Sequence, residues 1–371
     1  MTTLYDSLAD LSLDVEGFDL ETREMDTSGG FTRTTTVVVL RGPGARGRGE
    51  DVIYDTEDHE TLWDAHEAGA LDWDLAGSYT LDSFSTHLDG VDLFPEPPDR
   101  ESSRHYRRWA VESAALDLAL RQADTDLATA LGRTYDPVRF VASTRLTAES
   151  GEGDSDGGDG EEATPSADRV HAWLDIDPDL EFKLDPTSDW DRDLCEELAE
   201  TGAVRVLDFK NYYEGTDVDS EPDPALYRRV AESFPDAVLE DAKLTDETRD
   251  ALAGTEDRLS WDYPITGVES VESLPVDPQW LNVKPSRFGT VEALLDTIGY
   301  CLDRDITMYG GGQYELDVGR EHLHAVASAF YPDSPNDIAP KAYNAPEPHP
   351  DVPPSPLTPP ADPVGLSWDG K

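Results

Sequence analysis

Between residues 180 and 312, short apolar runs alternate with stretches of helical length and periodicity. The runs are LEFKLD (180–185), AVRVLDFK (203–210), DAVLED (236–241), RLSWDYP (258–264), QWLNVKP (279–285) and DITMYGGG (305–312). Regular alternation of this kind makes each strand parallel to the last, joined through a crossover helix. PVRFVASTRL (137–146) adds a seventh strand, and residues 336–339 are expected to supply an eighth. No glycine-rich phosphate turn follows the first strand, so a doubly wound nucleotide fold is disfavoured. The expectation is an α/β chain built around a TIM-type (β/α) barrel of seven to eight strands, with an N-terminal α+β capping domain.

The N-terminal region has a different texture. TRTTTVVVL (32–40) is rich in β-branched residues and predicts a strand, RGPGARGRG (41–49) a turn, and EDVIYD (50–55) a second strand. A helix is expected from His59 to Gly69, and a long amphipathic one from Ser103 to Gln122. The boundaries predicted are a capping domain over 1–133, the barrel over 134–342, and a Pro-rich tail over 343–371 in which VGLSWDG (364–370) packs back on the first domain. Within the barrel, ESGEGDSDGGDGEEATPSAD (149–168) is acidic, Gly-rich and without apolar period, which predicts a disordered insertion.

Charge narrows the functions open to such a fold. The 371 residues hold 80 Asp and Glu against 29 Lys and Arg, a formal charge of −51. That field repels phosphate backbones and anionic membranes, so neither nucleic acid nor membrane is an expected partner. The 8 Trp, 14 Tyr and 10 Phe exceed what a disordered acidic chain carries, so a folded halophilic protein is expected. Its first twenty residues include four Asp and no basic residue, unlike a signal peptide, and a cytoplasmic location is expected. Two cysteines, Cys195 and Cys301, exclude a disulfide framework or a Cys-rich zinc site.

Lysine is the informative cation. It occurs six times, at 183, 210, 243, 284, 341 and 371, against 23 arginines. A chain that otherwise uses Arg keeps Lys where a shiftable pKa is useful. In a barrel the working groups sit at the C-terminal strand ends. Those ends supply Lys183, Asp208 with Lys210, Glu240 with Asp241, Asp262, Lys284, the Gly310–Gly312 run, Gln313 and Glu315. Carboxylates from three successive strands, converging, require a hard cation between them, and oxygen-only ligation suits Mg²⁺. Such an ion stabilises the oxyanion formed when a proton leaves a carbon beside a carboxylate. A partly desolvated lysine near a cation is a suitable base. The blander reading of each acid alone is a solvated carboxylate or helix cap; of Lys210, a neutraliser of the acids; of the glycines, a plain turn or a backbone that approaches a ligand. His322 and His324 are expected to be packing or surface residues, and Arg41, Arg46 and Arg48 to balance local charge.

This set resembles the mandelate racemase and muconate lactonizing enzyme branch of the enolase superfamily. RRWAVESAALDLALRQADTDLATALG (107–132) is similar to that family's helix between capping domain and barrel. The strand order Lys, Asp, Glu, Asp, Lys is the muconate lactonizing pattern. The resemblance implies Mg²⁺ on Asp208, Glu240 and Asp262, and Lys183 and Lys284 as acid/base groups on opposite faces of an enolate, with Lys210 a third candidate. It implies a small carboxylate substrate, handled by cycloisomerisation, dehydration or epimerisation, and a homo-oligomer. Substrate contacts would come from residues 14–32, the 80s, Tyr212, Tyr213, Arg287, Gly311, Gln313 and Glu315. Three positions depart from the pattern. Glu181-Phe182-Lys183 stands for Lys-x-Lys, Lys210 for the Asn of Asp-x-Asn, and Ala242 for the Pro of Glu-x-Pro. Lys183 aligns with the second lysine of the pair; in the other register Asp185 takes the catalytic place. The alternative function is a non-catalytic ligand-binding protein in which a lysine replaces the metal.

Overall fold

The computed structural model describes residues 3–146, 164–213 and 220–368. Most of the acidic insertion lies outside them. The N-terminal part runs α1 (Asp6–Ala9), β1 (Ser12–Val15), β2 (Gly17–Asp26), β3 (Thr32–Gly42), β4 (Ala45–Asp51), α2 (Thr56–Glu67), β5 (Gly77–Thr80), α3 (Leu81–Leu88) and α4 (Ser102–Gln122). Strands β2, β3 and β4 form an antiparallel sheet, and β1 pairs with β5. The β3–β4 turn is tighter than the sequence predicts, because Arg46 to Gly49 belong to β4. Those glycines are a packing device. A Cβ at Gly47 would lie 2.1 Å from the Ala114 carbonyl, and one at Gly49 2.0 Å from that of Ala110, so their absence lets α4 lie directly on the sheet. Strands β1 and β2 were not expected. Asp14, Asp19, Glu21 and Glu24 interrupt their apolar alternation, and tertiary pairing with β5 and β3 makes them strands.

After α5 (Leu127–Ala130) the barrel begins: β6 (Ala142–Thr144), α6 (Asp168–Ile176), β7 (Phe182–Leu184), α7 (Arg192–Glu200), β8 (Val204–Asp208), α8 (Pro224–Ser233), β9 (Val238–Glu240) and α9 (Asp246–Ala251). It continues with β10 (Leu259–Trp261), α10 (Val268–Glu272), β11 (Trp280–Val283), α11 (Pro285–Phe288), α12 (Val291–Leu302), β12 (Thr307–Gly310) and α13 (Val318–Phe330). The seven strands form one parallel sheet in sequence order. The eighth place is held by two isolated bridges, Phe140 to Asn336 and Gly311 to Asp337. Asn336 replaces part of the missing ladder: its side chain accepts from the Gly310 N–H at 2.6 Å and donates to the Arg139 carbonyl at 2.9 Å.

Helix α4 is buried along most of its length because the N-terminal sheet covers one side and α11 and α12 the other. Glu50 of β4 docks the sheet onto the barrel. Its buried carboxylate accepts the N–H groups of Leu316 (2.6 Å), Asp317 (3.0 Å) and Gly319 (2.8 Å) at the start of α13. The tail returns to the same region, where the Leu366 N–H donates to Asp117 of α4 at 2.8 Å. Among the described residues, no helix is long and apolar enough to cross a membrane.

Candidate active site

Inward-facing side chains alternate along each barrel strand. The lower layer is apolar, with Val206, Val238 and Tyr309 in contact and Trp280 against them. Two residues further along β8 and β9 come Asp208 and Glu240, which stand opposite each other in register. Asp262 follows β10, and Lys284 follows β11 as the residue before α11. The carboxylates of Asp208, Glu240 and Asp262 are fully buried and offer oxygens all within 4.8 Å of one another.

Basic groups surround this triad. On the β7 side, Lys183 Nζ lies 2.5 Å from Glu240 Oε1, 3.0 Å from Asp208 Oδ2 and 3.3 Å from Asp337 Oδ2. Lys210 also pairs with Asp208 and lies 3.5 Å from Asp185 Oδ1. On the opposite side, Lys284 Nζ is 2.7 Å from Asp262 Oδ2, and Arg287 Nε is 3.2 Å from its Oδ1. The two lysines therefore flank the acids from β7 and β11. Tyr213 donates its hydroxyl to Asp262 Oδ2 at 2.7 Å. Glu240 also accepts from Asn282 Nδ2 at 3.2 Å and from the Tyr309 hydroxyl at 2.5 Å.

Electrostatics divides the acids. Burial alone pushes every carboxyl upward. At Asp208, the Lys183 and Lys210 ammoniums outweigh burial and hold the carboxyl well below its ordinary range. Arg287 and Lys284 do the same at Asp262. Glu240 is pushed up to about 8 by burial and by Asp208 and Asp262 beside it, despite Lys183. Asp241, against Asp262 and Asp208 with its own burial, is pushed up to about 7. Burial pulls Lys183 down, but its three carboxylate contacts and nearby Asp262 win, leaving it well above the ordinary lysine value. In this state Lys183 is a counter-cation and not a base near neutrality.

The remaining candidates divide. Arg287 joins the centre, through Asp262. Tyr212 packs against the core near Asp241 and Lys243, while its neighbour Tyr213 reaches the triad. At Gly311 a Cβ would lie 2.3 Å from Asn282 Oδ1 and 2.6 Å from Lys284 Cε, so this glycine lets the backbone pass these side chains. Gln313 donates to the Tyr106 hydroxyl at 3.2 Å, and Glu315 Oε1 accepts the Gln313 N–H at 2.7 Å, with Arg320 at 3.2 Å from Oε2. Both engage protein groups. Of residues 14–32, most lie in β1 and β2. Since Lys183 pairs with Val206 and Leu184 with Leu207, Asp185 stands level with Asp208, and Lys183 lies two residues deeper. His322 and His324 are buried packing residues, and burial pushes both down to about 3. Sequence reasoning missed Asn282, Tyr309 and Asp337. The first two were detectable, since each lies two residues before a named inward position, Lys284 and Gly311.

A seven-stranded parallel barrel beneath an N-terminal α+β layer is the fold seen in solved members of the enolase superfamily. The chain belongs to a family described as a domain of unknown function, DUF8230, whose N-terminal domain matches residues 6–130 and whose C-terminal domain matches 134–345. No curated protein matches its sequence. Among solved structures it is similar to an enolase superfamily member from Listeria innocua (17% identity, 89% of this chain and 84% of that one, TM-score 0.57). It is also similar to muconate cycloisomerase from Pseudomonas fluorescens (17%, 88% and 87%, TM-score 0.61). A third is dipeptide epimerase from Methylococcus capsulatus, complexed with a Mg ion (15%, 87% and 89%, TM-score 0.61). Identities this low speak for the fold alone.

Proposed function

We propose that the protein removes the α-proton of a small carboxylate substrate at the barrel mouth, with Mg²⁺ held by Asp208, Glu240 and Asp262. The observation that carries this reading is the buried convergence of three carboxylates from successive strands between two lysines. The donor set fits a hard divalent ion, being all oxygen. Asp262 Oδ1 is buried with Arg287 Nε 3.2 Å away, yet accepts no hydrogen bond. An ion there supplies positive charge where the substrate's oxyanion develops. The chain's own groups do the rest. Lys284 takes the α-proton from the β11 side, and a lysine on the β7 side delivers one to the other face. Arg287 and Tyr213 hold Asp262 in place beside Lys284. Cycloisomerase and epimerase activities among the structural neighbours support a reaction of this type.

One observation favours a second reading. Lys183 already bridges Asp208 and Glu240 and has the position a metal would need to share. A protein that keeps this contact would bind a carboxylate without metal or proton transfer. Metal analysis of protein purified with Mg²⁺, together with solvent-deuterium exchange into a panel of α-proton carboxylates, separates the two. One bound ion per chain and exchange support the enzyme; no ion and no exchange leave the lysine-compensated binder.

A further inference from the structure

Asp241 is expensive to maintain. It is fully buried. Its φ is +51°, a left-handed conformation that a side chain rarely adopts. It stands beside Asp262 and Asp208, and among the described residues it forms no ion pair. A buried carboxylate among other acids, on a strained backbone, requires compensation elsewhere. That compensation comes from two backbone groups: the Asp262 N–H donates to Asp241 Oδ1 at 2.8 Å, and the Tyr263 N–H to Oδ2 at 3.0 Å.

Both contacts lead to the triad. The first fixes the residue that carries the third carboxylate. The second fixes Tyr263, whose carbonyl accepts from Arg287 at 3.3 Å and whose ring lies 4.5 Å from that of Tyr213. Arg287 and Tyr213 in turn hold Asp262 Oδ2, together with Lys284. One side chain thus restrains Asp262 through its own backbone and through two of its three side-chain partners.

We propose that Asp241 is a positioning residue that aims the Asp262 carboxylate into the triad. This rests on the reading of the triad as the working centre, with or without metal. Partners of this kind behind a metal ligand typically change affinity by about 10–100-fold. The test uses the full chain with Asp241→Asn, which spoils one of the two acceptors, and Asp241→Gly, which removes both and relieves the backbone. Three quantities are measured: Mn²⁺ affinity by electron paramagnetic resonance, amide exchange of the peptide spanning 259–265, and the melting midpoint. The expected result is Mn²⁺ binding about 10–100-fold weaker in both variants. Faster exchange should be confined to 259–265, with a midpoint at or above that of the wild type, since repulsion is removed in both variants and backbone strain in Asp241→Gly. A purely structural residue would instead lower the midpoint and loosen the whole barrel, which overturns the proposal. Unchanged Mn²⁺ affinity overturns it too. If the wild type binds no Mn²⁺, the metal reading fails and exchange decides alone: acceleration confined to 259–265 supports Asp241, and unchanged exchange overturns it.

Discussion

Arg107 of α4 and Asp51 of β4 meet at 2.8 Å with both side chains out of water. The remaining donors of Arg107 reach the carbonyls of Asp58 at 2.9 Å and Leu93 at 3.4 Å, and the Ile53 N–H donates to Asp51. Each charge there has one opposite partner and a set of backbone groups. At the barrel mouth, Asp208, Glu240, Asp241 and Asp262 are also buried, but they face one another as much as the cations. Their pKa values are driven apart, two down and two up. The first arrangement pairs charges to hold two layers together. The second crowds like charges where a proton or an ion is to be handled.

The sharpest test of that contrast is Lys284→Arg. The positive charge beside Asp262 is kept and the exchangeable proton is lost, because Arg does not deprotonate. Substrate α-proton exchange should fall by about 10²–10⁴ with the melting midpoint within a degree or two of the wild type. An unchanged exchange rate would make Lys284 a structural counter-cation like Arg107. The converse variant is Arg107→Met, which leaves Asp51 buried and alone. It should cost about 3–5 kcal/mol in urea unfolding. Exchange per folded molecule should stay the same; a selective loss of activity would join the capping-layer pair to the reaction.

The pH dependence of stability distinguishes the two regions without substrate. Glu240 and Asp241, raised to about 8 and about 7, hold protons in the folded chain that the unfolded chain releases at ordinary carboxyl values. Metal-free protein should therefore lose stability as pH rises from about 4.5 to about 8, by about 1.4 kcal/mol per unit for each group bearing its full shift, and then level off. Asp208 and Asp262 act in the opposite sense, with their contribution lost as pH falls below the unfolded carboxyl range. Glu240→Gln should flatten the upper window, as followed by thermal melts across pH; a slope left intact would place the proton elsewhere. The smallest effect concerns the surface. Molar KCl should raise the melting midpoint by screening the −51 charge, while the cost of Arg107→Met should be nearly salt-independent because that pair is buried. Equal sensitivity of both would mean that the buried pair is reached by solvent.

The barrel was legible because its signal is local. Apolar runs at a regular interval force parallel pairing, and all seven strands formed within the expected runs. Strands β1 and β2 were not legible, because acids on both faces of β2 conceal any alternation until β3 pairs with it, whereas the β-branched run of β3 was legible. The turn over 41–49 is shorter than expected for a related reason: Gly44, with φ +73°, makes the bend, whereas Gly47 and Gly49 answer to the approach of α4.

Residue identities and strand-end positions determined which groups could meet: three acids and two lysines, in order, at one end of a barrel. How deep each one sits was decided only by tertiary structure. The register of β7 on β8 sets Lys183 level with Val206, two residues below Asp208, where it bridges two carboxylates, and raises Asp185 to the level of the triad. Sequence spacing counts residues along one chain, whereas register and charge neighbours depend on how separate strands slide against each other. A one-residue slip exchanges the inward and outward faces, so the partners of Lys183, Asp241 and Lys284 became definite only when the sheet closed.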